Sequence, residues 1–189
     1  MEASGEGGRD VVEVCSEPLD SIRYVNAVRD AGAGAIATFA GTTRNSFQGR
    51  AVVRLEYEAY EAMAIRQMHS ICSAARARWP LIAVSCAHRV GLVPIGQESV
   101  FVAASSVHRA DAIHACHFII DEIKSSVPIW KKEIYVDGQV WKENAEFFAK
   151  KHAPPGGGNA SSGGETIDER QESCQNDCEA KYATHHRED

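Results

Sequence analysis

Apolar residues recur along this chain with two periods, and the change from one to the other marks the elements. In residues 61–79, EAMAIRQMHSICSAARARW, Met63, Met68, Ile71, Cys72 and Ala75 fall at helical spacing. That predicts a helix with one inner stripe, ended by Pro80. Residues 108–126, HRADAIHACHFIIDEIKSS, repeat the pattern with Ala112, Ala115, Cys116, Ile119, Ile120 and Ile123. Val127 precedes Pro128, whose ring disfavours helical backbone at the residue before it, so this helix ends there. A shorter helix is expected in residues 19–34, spaced on Ile22, Val25 and Val28. Asp20 or Ser21 would cap it, and Gly32 and Gly34 would stop it.

Between these segments the period falls to two or the apolar run is short, which reads as strand. Residues 10–15 (DVVEVC), 35–41 (AIATFAG), 81–91 (LIAVSCAHRVG) and 99–107 (SVFVAASSV) are strands, the second of them buried. In 51–60, Val53, Leu55 and Tyr57 alternate with Arg54, Glu56 and Glu58, giving one wet face. Residues 42–50 are a polar loop, and 92–98 are a turn around Pro94 and Gly96. Residues 129–143, IWKKEIYVDGQVWKE, are a hairpin turning at Asp137-Gly138, the strongest short-range turn signal in the chain. Short connections between strands favour antiparallel pairing, so the class is α+β with antiparallel sheets and two main amphipathic helices.

Composition changes this picture mainly at the ends. Residues 1–9 are acidic and glycine-rich and are expected to be disordered, leaving a domain over 10–152. From residue 153 the chain becomes a Gly/Ser-rich linker and then an acidic tail, eight acids against three bases. The tail therefore carries −5 of the net −6 and the body only −1, which argues against nonspecific nucleic-acid binding. No apolar run approaches the length of a membrane span, and the first residues lack a secretory layout. The six cysteines are scattered, and Cys72, Cys86 and Cys116 lie among apolar residues. Buried thiols of this kind fit a reducing compartment, so the expectation is cytosolic. Cys174 and Cys178 with His185 and His186 fit no standard zinc spacing, and Gly156-Gly157-Gly158 is followed by no helix. No metal or cofactor is expected.

Four polar clusters adjoin the apolar elements: Arg44; His88-Arg89; His108-Arg109; and Lys124, Lys131, Lys132 and Glu133. A loop cation such as Arg44 is commonplace. His88 and Arg89 read best as a structural pair at a strand end. His108 and Arg109 open a helix, where the dipole attracts anions and repels cations. They make sense with an anion held against the free N–H groups. Lys131 and Lys132 alternate on a strand, and Lys131 shares a face with Ile129, so it is the one expected to point inward. Arginine reads phosphate with forked donors, and a desolvated lysine can act as nucleophile or base. The clusters together point to a basic pocket for a phosphorylated small molecule undergoing addition or acyl-type chemistry.

The stretches FAGTTRN, LEYEAYEAMA, HRVG, SSVHRADAIHACHFIIDEIK, PIWKKE and DGQVW, in this order from about Gly34 to Glu143, resemble the large, catalytic subunit family of molybdopterin synthase. The resemblance implies an α/β hammerhead fold and a homodimer of large subunits within a heterotetramer. A small ubiquitin-like sulfur-carrier subunit would dock on each large subunit. Its thiocarboxylated Gly-Gly terminus would enter the pocket and pass sulfur to cyclic pyranopterin monophosphate, making the dithiolene of molybdopterin. No cofactor is implied. By the same resemblance Lys124 and Lys131 are the catalytic lysines. Arg44, His108, Arg109, Lys124, Lys131, Lys132 and Glu133 form the substrate site, with Thr42 and Thr43 preceding Arg44. Gln97 departs from the family, many of whose members carry an acid there.

A competing reading is a docking module that holds a Gly-Gly tail without chemistry. Such a groove needs backbone pairing and apolar pockets more than two inward lysines. A third reading is a protein that binds a phosphorylated metabolite with no sulfur donor.

Overall fold

The computed structural model describes residues 9–142. The expectations for residues 1–8 and for 143–189, including the linker, the acidic tail and its cysteines, lie outside them. The described residues form an α+β domain of two sheets and three helices.

The first sheet has the order β1-β5-β7-β2, from β1 (Arg9–Cys15), β5 (Leu81–Arg89), β7 (Glu98–Ser106) and β2 (Ala35–Thr42). Helices α2 (Glu61–Arg76) and α3 (Arg109–Ser126) cover one face. Ile119, Ile120, Ile123, Met68 and Ile71 meet Val84, Cys86, Val100 and Val102 there, and all are buried. Burial of each such side chain contributes about 1.5–3 kcal/mol. The short α1 (Ser21–Ala27) covers the other face with Tyr24 and Val28 against Ala83, Ala87 and Phe101. Asp20 caps it, accepting from Arg23 N at 3.1 Å.

Several expectations change in detail. Strands β1 and β5 pair in parallel, because helices and strands separate them and no hairpin constrains their sense. β2 is half-buried, with alternate residues exposed. Tyr24 supplies the inner face of α1 and Ile22 is exposed. In α2, Ala64 is buried and Met63 is half exposed, since the helix meets the sheet one residue further round.

The second sheet contains β3 (Ser46–Phe47), β4 (Arg50–Ala59), β8 (Ile129–Tyr135) and β9 (Gly138–Lys142), with β6 (Gly91–Pro94) also paired to β4. Both β3 and β6 fall where the sequence reads as loop or turn. Gln48 and Gly49 join β3 to β4 with φ of 50° and 76°, the left-handed pair of a tight two-residue hairpin turn. A bulge between Val52 and Arg54 shifts the alternation, so Val52 is buried and Val53 exposed. Residues Val136 and Asp137 make the β8–β9 turn, and Gly138 already pairs with Tyr135. Arg50 grips that turn through two bonds to Asp137, at 2.8 and 3.2 Å. Pro128 ends α3 and the chain runs directly into β8, which places the C-terminal turn of the helix beside the second sheet.

Candidate functional site

A cavity of about 840 Å³ lies where the end of β2, the last turns of α3 and the inner face of β4 and β8 converge. Phe39, Leu55, Ile120 and Ile129 give it apolar walls. Arg44, Lys124, Lys131, Glu133, Tyr57 and His88 supply its polar groups.

The two-residue period of β8 sets the lysines. Lys131 and Glu133 stand opposite Tyr57 and Leu55 of β4 and face the cavity. Lys131 Nζ is 3.0 Å from Glu133 Oε1. Glu133 is 4% exposed, and its other oxygen accepts a short hydrogen bond from the Tyr135 hydroxyl. The Arg50 guanidinium lies over the Tyr135 ring at 3.8 Å. A chain of contacts thus runs from the exposed Arg50–Asp137 pair to the inward Lys131.

Lys124, in the last turn of α3, is exposed to the cavity and lies 5.7 Å from the centre of the Phe39 ring. A cation in the last helical turn is also favoured by the macrodipole. Arg44, in the loop after β2, is exposed and rests over Phe47 at 5.2 Å.

The rear of the cavity is neutral and polar. The Tyr57 hydroxyl donates to Ser99 Oγ at 3.2 Å, and Ser99 donates to Gly41 O at 3.3 Å. Burial pushes the Tyr57 phenol up, so it stays protonated. The His88 ring packs edge-on to Tyr57, 5.0 Å between centres. Its Nδ1 is 2.9 Å from Arg89 O, a group that only accepts, so Nδ1 carries the proton. Burial lowers the His88 pKa to about 4, which keeps the ring neutral.

The structure therefore brings together Arg44, Lys124, Lys131 and Glu133. It places Lys132 on the opposite face of β8, across from Glu56 and 5.3 Å from the centre of the Trp141 ring. Trp130 shares that outer face, across from Glu58. His108 and Arg109 are exposed at the start of α3. Fifteen residues of helix separate Arg109 from Lys124, about 22 Å at 1.5 Å per residue. Within one chain these two residues do not reach the cavity. Tyr57, Ser99 and Tyr135 carried no distinguishing signal in the sequence, since each reads as an ordinary strand residue. Among the described residues no group of three or more His, Cys, Asp or Glu could hold a metal ion, and no helix is long and apolar enough to cross a membrane.

An α+β domain whose helix end and hairpin together line a cleft with lysine and arginine defines a class that handles an anionic group beside an apolar wall. The chain belongs to the MoaE protein family, whose model matches residues 14–126, a span that includes Arg44, His108, Arg109 and Lys124. It is 62% identical over 142 residues to a molybdopterin synthase catalytic subunit of Oryza sativa subsp. japonica, covering 74% of each chain. To the molybdopterin synthase catalytic subunit of Homo sapiens it is 43% identical over 148 residues, 78% of this chain and 79% of that one. The crystal structure of molybdopterin synthase from Staphylococcus aureus superposes with a TM-score of 0.66 at 38% identity, covering 69% of this chain and 95% of that one.

Proposed function

We propose that this chain is the catalytic subunit of a molybdopterin synthase. It moves sulfur from the thiocarboxylated C-terminus of a small ubiquitin-like subunit to cyclic pyranopterin monophosphate. The observation that carries the reading is the convergence of Lys124, Lys131 and Arg44 on one cleft, with Lys131 held by the buried Glu133. A groove that merely held a peptide tail would not need two lysines in it.

In this reading the apolar wall of Phe39 and Ile129 receives the slender Gly-Gly tail. The Lys131 ammonium faces the thiocarboxylate and stabilises negative charge on the acyl oxygen as the carbon–sulfur bond breaks. The thiocarboxylate sulfur attacks a substrate carbon, and an oxygen leaving group on that carbon departs with the electron pair of its bond and takes up a proton. Water then adds to the carbonyl of the resulting thioester, and its acyl–sulfur bond breaks to leave sulfur on the substrate and a carboxylate on the carrier tail. Lys124 moves the proton or accepts the acyl group transiently. Arg44 binds phosphate. His108 and Arg109 reach the same substrate only from a second copy of the chain, whose α3 would present its N-terminus to this cleft. That arrangement fits a homodimer of large subunits with a small subunit at each outer end. Residues 10–152 form the working domain, and the reaction belongs to the cytosol, a placement supported by the free, buried Cys72, Cys86 and Cys116.

The test is reconstitution. The purified chain is mixed with the thiocarboxylated small subunit and cyclic pyranopterin monophosphate, and molybdopterin is measured. The native chain is expected to form product. Lys124→Ala and Lys131→Ala are each expected to bind the small subunit and to lose at least about 100-fold in rate. Binding without turnover by the native chain would favour the docking module.

A further inference from the structure

Arg89, the last residue of β5, is 7% exposed. Its Nη1 donates to Gln97 Oε1 at 2.6 Å, while its Nε is buried with no hydrogen-bond partner. Among the described residues no Asp or Glu is paired with it. Thr43, 3% exposed, has the other unpartnered buried side-chain atom, its Oγ1. Both residues converge on the turn after β6. Thr43 N donates to Gln97 O at 3.0 Å, and Gly96 N donates to Thr43 O at 2.9 Å.

A buried guanidinium is tolerated when an opposite charge meets it. Gln97 satisfies one hydrogen bond and supplies no charge. The fork of a guanidinium matches the two oxygens of a carboxylate, and the buried Nε lacks the acceptor that one would supply. Thr43 has a hydroxyl proton to add. Gln97, the hydrogen-bond partner of Arg89, is itself exposed to solvent. We propose that Arg89, Thr43 and Gln97 form a binding site for a small carboxylate, on the reverse side of the wall that bears the cleft. The site would brace that wall. Thr43 stands between Thr42 and Arg44, and Arg89 follows His88, and all three of these neighbours line the cavity.

The experiment uses the full chain with formate as the probe and chloride at equal ionic strength as the reference, read by thermal unfolding. Formate is expected to raise Tm saturably by about 3 °C. The variant Gln97→Glu places a carboxylate within reach of Arg89. It is expected to start above the native Tm in chloride and to lose most of the formate response. The Arg89 ¹⁵Nε resonance is expected to move with formate over the same concentration range. A formate effect no larger than that of chloride would overturn the proposal. So would an undiminished response in Gln97→Glu, or a Gln97→Glu chain no more stable than the native one. None of these readouts involves turnover, so the result stands apart from the fate of the sulfur-transfer reading.

Discussion

Lys131 Nζ sits 3.0 Å from Oε1 of Glu133, the one buried carboxylate among the described residues. The lysine side chain is 36% exposed and the glutamate 5%. The pair therefore holds the Lys131 ammonium from its dry side and leaves it open to the cleft.

Glu133→Gln keeps the shape and removes the charge. Lys131 then loses its anchor, and the Tyr135 hydroxyl faces a neutral amide. The expected cost in stability is about 1–2 kcal/mol, because partial exposure of Lys131 screens its half of the pair. Turnover is expected to fall about 10- to 100-fold with small-subunit binding retained. Single-turnover rates and urea unfolding measure the two effects separately. Wild-type turnover in this variant would remove Glu133 from the mechanism.

His88 makes stability depend on pH in a defined direction. Its pKa is about 4 in the fold against 6.5 for a free side chain. The unfolded chain therefore binds a proton that the folded chain refuses. Stability is full above pH 6.5 and falls as pH drops towards 4, where the loss levels off. Between pH 7 and pH 4 this one group removes about 3 kcal/mol. Urea unfolding at pH 7 and pH 4.5 is expected to show a smaller loss in His88→Gln than in the native chain. An equal loss would mean that other groups carry the acid sensitivity.

Gly34 tests the join between β2 and the strand before α3. A Cβ there would lie 2.2 Å from the carbonyl oxygen of Val107, a backbone atom that cannot swing away. Gly34 N also donates to Ser106 O at 3.0 Å, so the contact is fixed from both sides. Gly34→Ala is expected to destabilise by about 2 kcal/mol. Gly32→Ala, whose nearest neighbour is 3.4 Å away, is the control and is expected to change little.

Much of the fold was legible because burial and period agree. Every inner residue named for α3 is buried, and Lys131 faces inward as its spacing from Ile129 requires. Where the reading slipped, a non-local cause is visible. The bulge at Val52 exchanges the faces of β4, and a bulge depends on the partner strand. The parallel β1–β5 pair joins residues more than 60 positions apart. Met63 was expected inside for its hydropathy, but the orientation of α2 turns Ala64 to the sheet instead, and that orientation is set by the tertiary packing. The cleft was only partly legible. Its cations stood out as charges beside apolar elements. Tyr57, Ser99 and Tyr135 become notable only through what they touch, and the buried state of Glu133 is invisible in a run of charged residues.

The placement of His108 and Arg109 gives a test of the dimer. If they act on a neighbour's cleft, Arg109→Ala disables the cleft of the partner, while Lys131→Ala disables the chain's own. Each variant alone is expected to be nearly inactive. In a mixed dimer one cleft receives both defects and the other receives none. Random exchange at equal amounts makes half the dimers mixed, so activity should recover to about a quarter of the native level. Recovery requires subunit exchange, which a tagged pull-down of mixed dimers verifies. Mixed dimers formed without any recovery would place His108 and Arg109 outside the neighbour's cleft and overturn their part in the substrate site.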